Sequence, residues 1–418
     1  MKTTRAQKPI FISLSPNTES DDVWRAIGIM ARPWKWFLGD ARDDVEKYFC
    51  KELGVKHAFA FESGRSALYA ILESLHLEKN EEVLLQAYTC VAVPNAVLWA
   101  GARPVYVDAD PATFSLSLND LEKKITPKSR VLIVQHTFGA PAPMKKILDI
   151  AEAHDLFVIE DCAHALGAEY RGKKMGSFGH AAFFSFGRDK VVSSVFGGVA
   201  VAESEIVALR VREHFNERSL PARTWIFRTL AHPILTACVK KTYCWWGIGK
   251  AAFAIMIRMR ILPPAVLFQE KRGGKPAFTS KKMAPATARL LLHQLEKLER
   301  FNTHRRAIAA IYRESIQSKK IKHPRIFTSS SPIFLRYTVL TPHADDLRKK
   351  AKKENIFLGD WYDRAIAPVG VDYKKIYYDP ASCPHAEILS RKSLNLPTDI
   401  SISKEDAKRI ADFINNHA

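Results

Sequence analysis

Between about residues 45 and 205, short apolar runs alternate with segments whose apolar side chains recur at helical spacing. Ala58–Phe61 reads as a strand and Ser66–Leu75 as the helix after it. The pattern then repeats. Glu82–Gln86 is followed by helical Val91–Ala100. Pro104–Val107 is followed by helical Leu118–Ile125, with Ser117 placed to cap it. Val131–Gln135 precedes helical Pro141–His154. Leu156–Glu160, Ala181–Phe186 and Val199–Ala202 are further strands. This alternation predicts an α/β domain around a mainly parallel sheet. Ligands of such sheets collect at the carboxyl ends of the strands. The segments to inspect are therefore Ser63–Ser66, Tyr88–Cys90, His136–Gly139, Asp161–His164 and Ser185–Lys190.

Beyond this region, residues 286–315 carry Leu290, Leu291, Leu295 and Leu298 on one stripe and predict a single core-facing helix. The last hundred residues mix strands (Ile333–Val339, Ile356–Leu358) with helices (Ala344–Glu354, Lys404–Asn415), as a smaller α+β domain does. The expected organisation is an N-terminal segment (1–45), a large domain (46–217), an insert (218–275), a linking helix (276–315) and a small domain (316–418).

The insert is unusual in charge. Its 52 residues from Arg218 to Gln269 contain no Asp or Glu, eight Lys or Arg and seven aromatics. Trp and Tyr suit a lipid headgroup region and cations suit anionic lipid. One reading is therefore peripheral membrane contact through Trp225, Phe227, Trp245, Trp246, Arg258 and Arg260. The ordinary alternative is a dimer interface or a lid. Nucleic acid is disfavoured by aliphatic runs such as Ile255-Met256-Ile257, which suit lipid better than bases.

Composition narrows the class. Of 418 residues, 47% are hydrophobic and 26% charged, which excludes a largely disordered chain. The net charge of +19 favours anionic partners such as phosphorylated metabolites, an acidic membrane surface or nucleic acid. Six cysteines without a C-x-x-C pair predict neither a structural zinc site nor a disulfide scaffold, and fit a reduced cytoplasmic setting. Met1–Lys8 is polar and basic, with no apolar signal region after it. No run of about 18 apolar residues predicts a membrane span.

Four elements carry candidate chemistry. Lys190 follows the strand Ala181–Phe186, where desolvation would free its amine for a Schiff base. Asp161 ends Leu156-Phe157-Val158-Ile159-Glu160-Asp161, where a carboxylate can hold a protonated pyridine nitrogen. His164 would share its face if a helical turn begins there. Ser63-Gly64-Arg65-Ser66 opens a helix whose free amides suit a phosphate, with Ser185 adding a hydroxyl. Each has an ordinary reading: solvated lysine, helix cap, structural histidine, common turn. Their order, each at a strand end, is that of a pyridoxal phosphate site.

These residues lie within longer stretches: Leu53-Gly54-Val55-Lys56-His57-Ala58, Ser63-Gly64-Arg65-Ser66-Ala67-Leu68, Asn95 to Ala102, Pro104-Val105-Tyr106-Val107-Asp108, Val158 to Ala168, Gly176-Ser177-Phe178-Gly179, Phe184-Ser185-Phe186 with Lys190, and Leu394-Asn395-Leu396-Pro397. In these stretches the chain resembles the DegT/DnrJ/EryC1/StrS aminotransferases, everywhere except about 218–275. The resemblance implies an aminotransferase-like (fold type I) large domain with a seven-stranded, mainly parallel sheet. It implies pyridoxal phosphate as cofactor, a homodimer, and transfer of an amino group from a donor such as glutamate to a nucleotide-linked keto sugar. A lipid-linked sugar or a cyclitol is the alternative acceptor, and a non-catalytic membrane-associated scaffold the alternative class. Lys190 would bond to the cofactor and shuttle the proton. Asp161 would meet the pyridinium, His164 the phenolic oxygen, and Gly64, Arg65 and Ser185 the phosphate. The sequence departs from the family pattern at Arg65, at Cys90 where an aromatic would stack on the ring, and at Ser280 and Lys282, which replace the Asn and Arg given to the partner subunit's site. No metal is implied.

Overall fold

The computed structural model describes residues 9–13, 15–243, 265–277 and 279–418, together with Gly249 and Ala251. Seven strands form the central sheet: β1 (His57–Phe61), β2 (Glu82–Gln86), β3 (Arg103–Val107), β4 (Ser129–Gln135), β5 (Phe157–Asp161), β6 (Ala181–Ser185) and β7 (Gly198–Ala202). Their spatial order is β1-β7-β6-β5-β4-β2-β3. The pairs among β6, β5, β4, β2 and β3 are parallel. Only β7 runs antiparallel, between β6 and β1.

The apolar runs have a direct cause. Alternate residues of each strand feed two different cores. Phe59, Phe61, Leu85, Ile133 and Phe183 join one cluster, and Ala58, Ala60, Leu84, Leu132, Phe184 and Val199 join the other. A sheet covered on both faces reads as continuous apolar sequence rather than as alternation.

Helices α1 (Ser20–Met30), α2 (Ala41–Leu53), α3 (Gly64–Ser74), α4 (Arg223–Thr242), α5 (Pro285–Leu295) and α6 (Leu298–Ser315) matter most for the site. The expected helix over 286–315 is two, α5 and α6, because the chain turns at Glu296–Lys297. There the Lys297 Nζ bonds Asp21 and Asp22 of α1. The helix expected from Pro141 starts at Met144, after two prolines that cannot donate to a helix ladder. The strand expected from Ile333 begins at Arg336.

In the C-terminal part, β8 (Arg336–Leu340) pairs with β9 (Ser393–Pro397), and a separate core of Tyr312, Tyr337, Leu347, Leu396 and Ile410 surrounds them. The N-terminal strand Ile10–Phe11 pairs with Ile356–Phe357, and Ile10 is buried in this same core. Helices α1, α4 and α5 meet around Ala26, Ile29, Trp36, Ile226, Leu230 and Leu290. No helix among the described residues is long and apolar enough to cross a membrane.

Candidate active site

Register brings the chemistry together. Phe61 at the end of β1, Gly198 at the start of β7 and Ser185 at the end of β6 lie in one row across the sheet. Asp161, the last residue of β5, pairs with Phe183, two residues back from Ser185. Because β7 is antiparallel, its beginning sits beside the ends of its neighbours, and one sheet edge collects all three segments.

Helix α3 begins at this edge. The Ser63 side chain accepts the Ser66 N–H at 3.3 Å, as an N-cap does. A Cβ on Gly198 would lie 2.4 Å from Gly64 N and from Ser63 C, and one on Gly64 would lie 2.7 Å from Ser185 Cβ. Only glycine at both places lets the helix N-terminus approach the sheet so closely. The first-turn amides have no intrahelical acceptor and, beside the Ser185 hydroxyl, form a cradle suited to a phosphate dianion.

The cradle opens into a cleft of about 470 Å³ lined by Gly64, Arg65, Cys90, Asp161, His164, Ser185 and Lys190 among others. The structure thus brings seven sequence-predicted residues into one cavity. The Arg65 side chain turns from the cradle: it pairs with the buried Glu270 and donates to Ala265 O at 2.6 Å. Its backbone stays at the helix start. Cys90, in the short strand Thr89–Cys90 beside Ile366–Ala367, has a thiol pushed up by burial.

Protonation states follow from burial and neighbours. Desolvation lowers the Lys190 ammonium, opposed by the Asp161 carboxylate. Desolvation raises Asp161, opposed by the Ala163 N–H it accepts at 3.0 Å and by Lys190. His164 is held well below its usual value, first by burial and then by Lys190 and Arg336. Its Nδ1 accepts the Phe138 N–H at 3.3 Å, which leaves Nε2–H as donor in the neutral ring. The helical turn that would have put Asp161 and His164 on one face does not form; the chain makes successive turns there, and the Phe138 amide orients the ring. Glu160, one residue before Asp161, faces the other layer. It accepts from Gly176, Phe178 and Gly179 amides and meets His136 Nε2 at 3.1 Å, which saturates it with structural bonds.

The DegT/DnrJ/EryC1/StrS aminotransferase model matches residues 18–226 and 266–415. The chain belongs to this family. The unmatched residues 227–265 fall within the basic aromatic insert. The aminotransferase is 27% identical to the GDP-perosamine synthase of Escherichia coli O157:H7, over 91% of each chain. It is 36% identical over 198 residues to the GDP-perosamine synthase of Caulobacter vibrioides, an alignment that spans 47% of this chain and 53% of that relative. Among solved structures, DesV of S. venezuelae superposes with a TM-score of 0.76 at 24% identity, covering 98% of each chain. That likeness bears out the expected fold.

Several residues of the aminotransferase cleft escaped sequence reading. Trp361 and Tyr362 line it, and their rings lie nearly parallel to His164, with centroids at 5.5 and 6.2 Å. The Lys190 ammonium lies 5.4 Å from the Trp361 ring centre, and the Arg336 guanidinium 3.6 Å from it. Ala265, Val266 and Lys271, at the end of the insert, also line the cleft. Nothing in periodicity points to them, because they come from loops and the C-terminal part.

Ser280 and Lys282 are not in this chain's own cleft. The Ser280 N–H bonds Ser66 Oγ at 2.8 Å, and Lys282 Nζ bonds Asn216 O at 3.1 Å. The membrane-contact residues divide. Phe227 is exposed, but Trp225 is partly buried against Phe196, at 5.4 Å, so it is a packing residue instead. Trp245, Trp246, Arg258 and Arg260 lie outside the described residues.

Proposed function

We propose that this aminotransferase uses pyridoxal phosphate to move an amino group from an amino-acid donor, glutamate as first candidate, to a keto sugar carried on a nucleotide. The observation that carries the proposal is the convergence of Lys190, Asp161, His164 and the α3 cradle on one cleft. The sugar acceptor is supported by relatives. Besides the two perosamine synthases, a UDP-N-acetyl-3-dehydro-alpha-D-glucosamine 3-aminotransferase of Acidithiobacillus ferrooxidans is 26% identical over 94% of this chain.

The α3 amides and Ser185 suit the cofactor phosphate, Asp161 a proton on the ring nitrogen, and His164 Nε2–H the ring oxygen. When bound, the cofactor supplies an electron sink for the carbon losing its proton. Lys190, with its ammonium destabilised by the cleft, is the group placed to take that proton and return it. Lys190→Ala should lose any visible absorbance band the parent shows with pyridoxal phosphate. Glutamate should bleach the parent's band. A parent without a lysine-dependent band would sink the proposal.

We also infer that the enzyme is a homodimer and works at an anionic membrane surface. Residues 23–39 and 218–269 hold no acid. On these elements Trp24, Trp34, Leu38 and Phe227 are 71, 63, 62 and 50% exposed. Arg25, Arg32, Lys35, Arg223 and Arg228 are exposed on the same elements. The display is enforced: Trp36 is buried and donates to Ile29 O, while Arg289 clamps Lys35 O and Leu38 O, leaving Trp34 and Leu38 outside. A two-fold contact of this face with itself would oppose cation to cation, whereas anionic lipid complements it. The protein should float with vesicles containing phosphatidylglycerol, and W24S/W34S/F227S should not. A parent that stays at the bottom would overturn this. So would a triple variant that floats normally but loses the dimer.

A further inference from the structure

The loop that carries Lys190 has no strand or helix to hold its backbone, since β6 ends at Ser185 and β7 begins at Gly198. Buried backbone groups in such a loop must find partners elsewhere. Here they find side chains from three distant elements. The Asn17 amide donates to Lys190 O at 2.5 Å and to Val191 O at 3.1 Å. Arg305 of α6 donates to Val191 O at 2.6 Å and to Asn17 Oδ1 at 2.9 Å. Gln294 of α5 accepts the Ser193 N–H and donates to Asn17 O, each at 3.1 Å. Asn17 is 1% exposed, and Arg305 and Gln294 are buried with it.

Asn17 is itself held by the insert. Ser15, buried and in the left-handed region at φ 54°, meets His232 Nδ1 of α4 through its hydroxyl at 3.3 Å. A serine keeps that backbone conformation only under constraint. Lys240, also on α4, donates to Ser15 O at 3.0 Å. The same carbonyl takes the Thr18 N–H at 3.2 Å, which closes the turn Ser15–Thr18. Just after α4, the Tyr243 ring meets Phe11 edge-on at 4.8 Å. Ser15 and Asn17 precede the residues matched by the family model, and His232, Lys240 and Tyr243 fall between its two matched stretches. The insert's helix therefore reaches Lys190 through one buried turn.

We propose that Asn17 is a positioning residue for Lys190 and that helix α4 of the insert holds it in place. The proposal rests on the role given to Lys190 above. An amine that takes a proton at one atom and returns it at another works from a fixed root. Misplacing that root by about 1 Å costs on the order of 10²-fold in rate. Two bonds from one planar amide to successive carbonyls fix both peptide planes that follow the Lys190 Cα. Asn17 does not line the cleft, and both its N–H donors and its Oδ1 are engaged within the network. It therefore acts through the lysine backbone and not on a ligand.

The test reads Lys190 in two ways in parent, N17A, N17D and K240M. The first is the rate at which saturating glutamate bleaches the lysine-dependent absorbance band of holoenzyme. It should fall about 10- to 100-fold in N17A and N17D, with half-saturating glutamate unchanged. N17D keeps an acceptor for the buried Arg305, and so the fold, while losing both donations. K240M should show the same change to a smaller degree. The second readout needs neither cofactor nor donor: acetylation of Lys190 in the apoprotein by acetic anhydride, followed against pH by peptide mass spectrometry. Burial holds the Lys190 ammonium low, against Asp161, so the midpoint should rise by about one pH unit in N17A as water reaches the amine. Parent rate and parent midpoint in N17A, with only a lower thermal midpoint, would overturn the proposal and leave Asn17 a structural residue. K240M that behaves as the parent in both readouts would overturn the part assigned to α4. A parent band that glutamate never bleaches, with the labelling midpoint raised in N17A, would overturn the donor reading and leave the positioning role standing.

Discussion

Asp161 shows how the surroundings set the charge of one buried residue in the proposed site. Desolvation alone would make it a neutral acid. The Ala163 amide and the Lys190 charge oppose that, and a protonated ring nitrogen would complete the opposition. Asp161→Asn keeps the shape and removes the charge. Turnover should fall on the order of 10²-fold or more, with the protein still folded by circular dichroism. His232 gives a residue-scale effect of a different kind. Burial first, then Arg188 and Lys240, push it down to about 3. The folded protein keeps it neutral while the unfolded chain protonates it below the usual 6.5. Stability is therefore present above that value and is lost as pH falls towards 3. Between pH 7.5 and 5.5 this one histidine should remove about 1.4 kcal/mol, and His232→Asn should shrink that loss in urea titrations at the two pH values.

At the scale of elements, α3 depends on a fit without slack. Gly64→Ala would press a methyl group against Ser185 and the Phe184 carbonyl. It should cost about 1–3 kcal/mol as an overpacked contact and weaken cofactor binding in a spectral titration. The last part of the insert depends on one ion pair. Glu270 is fully buried, accepts from Arg65 and caps the Leu267 amide. Its own carbonyl takes the Asn95 side chain, and Trp99 holds the Gly273 carbonyl. Glu270→Ala leaves a guanidinium stranded and should cost about 3–5 kcal/mol, whereas the double variant with Arg65→Met should cost less than the two singles together. Measured as a double-mutant cycle, additivity would mean that the pair does not hold the segment.

At the scale of the whole molecule, one chain provides a cradle suited to a phosphate, a lysine and a C-terminal wall, while Ser280 and Lys282 lie outside this cleft. A homodimer would explain that placement. Sedimentation should then give twice the chain mass, and Lys282→Ala should leave each folded chain intact while lowering cofactor affinity. Equal affinity in parent and variant would remove Lys282 from the shared site.

The sequence by itself determined the large domain. Its strands are buried on both faces, so each had to be a continuous apolar run, and each run was legible with its ends within a residue or two. Lys190, Asp161, His164 and the Ser63–Ser66 turn were legible because parallel sheets bind at strand ends, a local position that sequence order reveals. Tertiary structure alone decided the rest. Arg336 is buried against the Trp361 indole only because β8 meets the Gly359–Trp361 segment, which lies more than twenty residues after Arg336. Arg65 turns from the phosphate cradle because a distant Glu270 is buried beside it. Ile10 joins the C-terminal core through a pairing that two residues cannot announce. Strand and helix patterns report which face of an element is dry. They carry no record of which distant side chain will satisfy, or fail to satisfy, a buried charge.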